Sequence, residues 1–177
     1  AWTFTAVDFA VVTNVPANFS GSTGTDYTFV VSAVTAAGES LVTGSSSADA
    51  AEILSWDAVT GANEYKIYID ENGGTYSLLD TTNVNSYTVP ANPSGDTSNR
   101  PVIANNPFSG ANPAVCAFND QRLHYFNLPT EPQTIFGSVI GAFDNFNKSF
   151  PARDDSSYEF TIDSKQVNYT TLNQIIF

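Results

Sequence analysis

The sequence predicts an all-β chain, and three observations carry that reading. Apolar and polar residues alternate over short runs rich in Val, Ile, Thr, Tyr and Phe, the period of a strand. Clusters of Gly, Asn, Asp, Ser and Pro separate these runs at short intervals, as turns require. No stretch sustains the 3.6-residue period of a long amphipathic helix.

The elements follow in order. Tyr27 to Thr35 (YTFVVSAVT) is a strand whose two faces, Tyr27/Phe29/Val31/Ala33 and Thr28/Val30/Ser32/Val34, are both largely apolar, which predicts cover on both sides. Ala37-Gly38 is a turn. Glu52 to Trp56 and Glu64 to Asp70 (EYKIYID) are further strands, and Asn72-Gly73-Gly74 is a strong turn because Asn and Gly accept positive φ. Tyr76 to Asp80 and Ser86 to Val89 complete a run spaced for an antiparallel sandwich. Its predicted core is Phe29, Val31, Val34, Leu54, Trp56, Tyr65, Ile67, Leu78 and Tyr87.

Five of nine prolines fall at Pro90, Pro93, Pro101, Pro107 and Pro113. Proline removes backbone donors and fixes φ, so this stretch reads as a connector. Strands resume at Ala114 to Asn119, Arg122 to Asn127, Thr134 to Ser138, Tyr158 to Asp163 and Thr171 to Phe177; Ile140 to Phe146 (IGAFDNF) reads as turn with one helical turn. The organisation is therefore a sandwich over 1–95, a Pro-rich connector over 96–113, and a second set of antiparallel strands over 114–177.

Composition narrows the function. The chain of 177 residues holds 6 basic and 18 acidic side chains, a formal charge of −12. Residues 1–95 contribute −9 and residues 96–177 only −3. Such a chain lacks the Lys and Arg that displace counterions from DNA. The lone Cys116 excludes an intrachain disulfide framework and a Cys-based zinc site. No run reaches the length of about 18 apolar residues that a membrane span needs. At 42% hydrophobic residues there is ample material for a core. The absence of Met marks a fragment or a processed chain, and the apolar end LNQIIF suggests a cut within a folded element.

The first part resembles a fibronectin type III domain through LSWDAVTGANEYKIYI, GGTYSLL and YTFVVSAVTAAGES. The piece that comes last in that family comes first here, as in a circular permutation, which close surface termini permit.

Residues 106–177 resemble the nozzle (tail tubular, or packaged-DNA stabilisation) proteins of short-tailed bacteriophages. The ordered matches are Pro113, Val115, Phe118, Gln121, Arg122, Leu123, Pro132, Gln133, Thr134, Ser138, Gly141, Asn145, Phe146, Asp154, Asp155, Glu159, Phe160, Thr161, Gln166, Val167 and Asn168. Phe126-Asn127-Leu128 replaces the family's Ala-Gly-Thr, Phe136 its Trp, Val139 an Arg and Ala142 an Asp. The resemblance implies the beginning of a β-propeller after the sandwich. It also implies a virion protein without catalytic residues, metal or cofactor. Copies would form a ring, typically of six, meet adaptor and fibre proteins, and surround DNA that passes without specific binding. Assembly would take place in the host bacterial cytoplasm.

Other chemistry weighs less. His124 lies at strand spacing, and the Gly-x-Ser-x-Gly elbow of a hydrolase is absent, so a hydrogen-bonded sheet or interface histidine is the expectation. Asp154-Asp155 with Asp163, and the Asp70 to Gly74 turn, offer oxygens for Ca²⁺ but read better as solvated turns. Three Asn-x-Ser/Thr sites, at Asn18, Asn147 and Asn168, match the chance expectation for so Asn-, Ser- and Thr-rich a chain. Arg122 is expected to lock adjacent strands through a carboxylate or a carbonyl. The alternative reading is a glycan- or receptor-binding module of a phage fibre or bacterial adhesin, in which Tyr68, Tyr76 and Tyr125 would stack on sugars or pack against partners, but packing on a sheet face is the expected role of these rings.

Overall fold

The computed structural model describes residues 15–21, 24, 26–70, 73–105, 107 and 112–162. They form thirteen strands and no helix. The strands are β1 (Tyr27–Thr35), β2 (Gly38–Glu39), β3 (Ser46–Ala48), β4 (Ile53–Ser55), β5 (Glu64–Asp70), β6 (Tyr76–Thr82), β7 (Ser86–Thr88), β8 (Arg100–Ile103), β9 (Val115–Asn119), β10 (Arg122–Phe126), β11 (Thr134–Gly137), β12 (Lys148–Phe150) and β13 (Tyr158–Thr161). The chain is all-β, and every strand pairing with a defined register is antiparallel.

The strands divide between two compact units. The first holds the described residues up to Ile103 together with Ser149–Arg153; the second holds 104–148 and the described residues from Asp154 onward.

In the first unit β1 is central. It pairs with β5 over seven positions, from Thr28↔Asp70 to Val34↔Glu64, and on its other side with β2 and β3. β6 continues beyond β5. A second layer consists of β4 and β7, to which Ser20 adds by a bridge to Ser55. Phe29, Val31 and Ala33 of β1 and Tyr65, Ile67 and Ile69 of β5 project from one face of the large sheet. They pack against Leu54, Trp56 and Val89 of the smaller layer. Trp56 and Tyr65 meet edge to face, with ring centroids 5.3 Å apart, a geometry the aromatic quadrupole favours. A sandwich results because each sheet has one face that must leave water.

The opposite face of β1 is also buried, through Val30 and Ser32, as the two apolar faces of its sequence require. Three of the predicted core residues take other places. Val34 lies on that opposite face and is only half-buried, and Tyr87 packs at the margin of the core. Leu78 is displaced by a β-bulge between Ile67 and Tyr68: it pairs with Tyr68, and Leu79 packs on the core in its stead.

Beside β4, the edge away from β7 is met by Ser20 from ahead of β1, which bridges Ser55.

The connector is shorter than its prolines suggest. Asp96 bridges to Leu78, and Arg100–Ile103 is a strand of the first unit that pairs with β12. Pro101 is tolerated because a two-stranded ribbon consists of edges, where a missing donor leaves no ladder bond unmade. The predicted strand over 171–177 lies outside the described residues.

In the second unit β9, β10, β11 and β13 form a four-stranded antiparallel sheet in that order, with β13 at one edge and β9 at the other. Leu123, Tyr125 and Phe136 share one face and form a core with Leu128 and Phe146. The segment Ile140 to Phe146 is a chain of turns with no helical turn.

Candidate functional site

Eight of the twenty-one residues that carry the nozzle-like pattern meet around Arg122: Gln121, Arg122, Ser138, Gly141, Asn145, Phe146, Asp154 and Asp155. The β9–β10 hairpin turns through Asp120 (φ 47°) and Gln121 (φ 57°). Positive φ at both central residues makes a two-residue type I′ turn, whose twist suits the flanking strands. It aims Arg122 back across the sheet. An L-residue in this conformation costs about 1–2 kcal/mol. Gln121→Gly is therefore expected to stabilise the second unit by about 0.5–1 kcal/mol in a denaturant titration, since the greater freedom of unfolded Gly offsets part of the relief.

The Arg122 side chain is 7% exposed. Its Nη1 donates to the carbonyl oxygens of Ser138 and Ser156, the latter at 2.6 Å, and its Nη2 to that of Asp154. The guanidinium carbon lies 5.6 Å from the centroid of the Tyr158 ring. Carbonyls are one of the two partner types the sequence suggested. Among the described residues no carboxylate pairs with this cation. Three backbone dipoles and a π face compensate it, which suits the planar fork of Arg and would not suit Lys.

The three acceptors belong to two loops. In the first, Val139 N–H donates to Asn145 O at 2.9 Å and Gly141 N–H to Gln121 O at 2.8 Å. Gly141 has φ +72°, a conformation that favours Gly. Asn145 Oδ1 accepts from Asn147 N–H at 3.0 Å. Phe146 anchors the loop in the core, 5.7 Å from the ring of Tyr125. The second loop joins the first where Ile140 N–H donates to Asp155 O at 3.0 Å. Gln121, Arg122, Asn145, Phe146, Asp154 and Asp155 thus form one hydrogen-bonded node. Asp154 and Asp155 enter it through their backbones, and their side chains are exposed. Val139 and Ala142, where the family pattern has Arg and Asp, are bridge partners.

Pro132, Gln133, Thr134 and Phe160 lie elsewhere, along β11 and β13. Gln133 O accepts from Ile162 N–H at 3.0 Å. The hydroxyls of Thr134 and Thr161 are 2.9 Å apart. Phe160 pairs with Ile135 and is exposed. Gln166 and Asn168 lie outside the described residues.

His124 is buried on β10, hydrogen-bonded to the Ala117 backbone, with its ring 5.8 Å from that of Tyr158. Burial holds its pKa below the usual histidine value and Arg122 adds to this, while the Ala117 bond and Asp120 oppose. The unfolded chain then binds a proton more readily than the folded one. His124 contributes stability that is complete above about pH 6.5 and is lost as pH falls through the lower folded pKa. Stability of the second unit between pH 7.5 and 5 is expected to fall more steeply in the natural chain than in His124→Gln. Parallel pH profiles would remove this role.

Tyr158 reaches both groups because it lies across Gly137: a Cβ there would stand 2.3 Å from a ring carbon. Gly137→Ala is expected to cost about 1–3 kcal/mol, as overpacking does, and to move the Tyr158 ring off Arg122. Nothing in the local sequence marks this glycine, because the clash is with a residue on another strand.

In the first unit a second polar cluster lies on the outer face of the sheet. Glu39 Oε1 accepts from Ser32 Oγ at 2.7 Å and from the Tyr68 hydroxyl at 2.5 Å. Glu39 Oε2 is 2.5 Å from Lys66 Nζ, with both side chains under 15% exposed. Burial first, then the charge of Glu39, pushes the Tyr68 pKa well above its usual value, so it serves as a donor. No motif marks this cluster, because Glu39 lies 27 positions from Lys66 and 29 from Tyr68 along the chain.

Of the three tyrosines weighed for stacking, Tyr68 is 1% and Tyr125 9% exposed, in line with packing on sheet faces that other strands cover; Tyr76 is half-buried. Among the described residues Phe118, Phe143, Phe150, Tyr158 and Phe160 are exposed. Of the sequons, Asn147 is buried, which closes it to a glycan; Asn18 is exposed; Asn168 lies outside the described residues. Among the described residues no three His, Cys, Asp or Glu side chains are grouped as a metal site would need, and no helix is long and apolar enough to cross a membrane. Comparison with protein families, with curated proteins and with solved structures finds no match to this chain.

Proposed function

We propose that this chain is a structural segment of a short-tailed phage tail nozzle, part of a ring of identical copies that retains DNA and conducts it during ejection. The observation that carries the reading is the Arg122 node. Pattern residues as much as 32 positions apart in the chain close on one buried guanidinium. The node's cation is satisfied by backbone carbonyls and the two loops bond to each other, although Asn147 Nδ2 in the first loop is buried without a partner among the described residues. Such a node stiffens a wall. The four-stranded antiparallel sheet beneath it has the size of one propeller blade.

The acidic surface suits a conduit. A moving polyanion is repelled by carboxylates and finds few cations on which to lodge. In this reading the sandwich, which holds most of the charge, lies outside the ring, and the wall is only mildly acidic.

The test is electron microscopy of particles and of the complete gene product. Rings at the tail tip labelled by an antibody to this chain are the expected result. Labelling confined to isolated trimeric fibres would overturn the proposal, as would a tight, salt-sensitive complex of the chain with DNA. Of the three tyrosines that the glycan-binding alternative would use, Tyr68 and Tyr125 are buried and Tyr76 is half-buried.

A further inference from the structure

At the hairpin end of the second unit an apolar patch stands in water. Phe118 is 63% exposed, Phe143 42% and Ile140 39%. The rings of Phe118 and Phe143 meet edge to face at 5.0 Å. Ile140 and Phe143 ride on the loop that the Arg122 node holds. Gly141 N–H is tied to the hairpin turn at Gln121 and Ile140 N–H to Asp155. The patch is thus presented by a braced loop, so little conformational freedom is left to lose on binding. Exposed apolar clusters with polar rims mark interaction sites.

The rim is acidic. Asp120 begins the hairpin turn, Asp144 follows Phe143, and Asp155 bonds the backbone of Ile140; all three are exposed. Arg122, beside the hairpin turn, is buried. A second copy of the chain is a poor occupant. It holds 6 basic residues against 18 acidic; among the described ones Lys66 and Lys148 are engaged with Glu39 and Glu159, Arg100 lies over the Phe150 ring, Arg122 is buried, and Arg153 is exposed but already engaged. Nucleic acid and anionic lipid surfaces are repelled by the same carboxylates.

We propose that Phe118, Phe143 and Ile140 form a docking surface for a different protein, one that presents an aliphatic or aromatic side chain flanked by Lys or Arg. The apolar pair supplies the affinity and the carboxylate rim supplies orientation and on-rate. Nothing in this surface depends on the nozzle reading, and it can fail or stand without it.

The test is a titration of the isotopically labelled chain, followed by NMR, with a blocked peptide that has Phe-Leu at its centre and Lys at both ends. Shifts confined to residues near Phe118, Ile140 and Phe143 are expected. Phe143→Ser should weaken binding roughly tenfold, the mark of a contact hot spot. Asp120→Asn with Asp144→Asn should weaken it severalfold and flatten its dependence on salt. Asn is accepted at the left-handed position of residue 120, and Phe143 is exposed, so both variants should retain native spectra; Phe118→Ser gives an independent check. Equal binding of a peptide with Glu at both ends would overturn the proposal. So would shifts elsewhere on the chain, indifference to Phe143→Ser, or self-association that Phe143→Ser abolishes.

Discussion

Replacing Arg122 with Met is expected to lower the stability of the second unit by about 2–4 kcal/mol, because it strands one buried carbonyl acceptor, which costs about 1–3 kcal/mol when left unmade, and two part-buried ones that water can partly satisfy. Met has nearly the length to fill the space, so the loss reports the polar contacts and not a cavity. The acceptors at stake are the carbonyls of Ser138, Asp154 and Ser156. Since they belong to two loops, both should loosen together. Hydrogen exchange is the measurement. The amides of Val139, Ile140, Gly141 and Asn145, whose bonds close the loops, should lose protection in the variant. In a Trp2→Phe background, which leaves Trp56 of the first unit as the one indole, the fluorescence midpoint should be kept. Arg122→Lys keeps the charge but cannot reach three acceptors with a planar fork, and should recover less than half of the loss. A variant with unchanged exchange would show that the node is incidental to the loops.

The second large effect concerns Glu39. Glu39→Ala is expected to destabilise the first unit by about 3–4 kcal/mol, the usual result of removing one partner from a buried ion pair. It leaves Lys66 and the hydroxyls of Ser32 and Tyr68 facing a void where a carboxylate stood. Replacing the pair together, as Glu39→Leu with Lys66→Met, should restore most of the stability, since the apolar isosteres carry no desolvation penalty. Urea titration followed by Trp56 fluorescence in the same Trp2→Phe background measures both. If the single and double variants lose equally, the cluster acts through packing and not through charge.

Much of the fold was legible because it rests on local chemistry. In β1 and β5 every second side chain is apolar over seven or more residues. That period admits a strand and little else, and it also assigns Phe29, Val31, Tyr65 and Ile67 to one face. The hairpin of β9 and β10 was implied by two alternating runs separated by two residues. What remained hidden depends on partners. Ser46–Ala48 has little strand propensity of its own; it is a strand because Tyr27–Phe29 lies beside it, and strand propensity reflects such context more than backbone preference. Arg100–Ile103 was obscured by its proline, and Leu79 took the place of Leu78 in the core because a bulge shifted the register.

The candidate site divides in the same way. An ordered pattern of residues singled out Arg122, Asn145 and Asp155, and basic chemistry limited the partners of Arg122 to carboxylates or carbonyls. The choice between these required the loops to be in place, since a carbonyl is available at every residue and carries no mark in the sequence. The exposure of aromatic rings was the least legible property. Tyr68 and Phe118 each occupy an ordinary alternating position, yet one is buried and the other is 63% exposed. Alternation assigns a side chain to a face; only the packing of sheets decides which faces leave water. The sequence by itself therefore determined the all-β class, the strand faces and the acidic balance, all of which follow from nearest neighbours along the chain. The tertiary structure decided the buried node at Arg122, the Glu39 cluster and the open patch at Phe118 and Phe143. Each of these is a meeting of residues brought together by sheet order, which local chemistry does not encode.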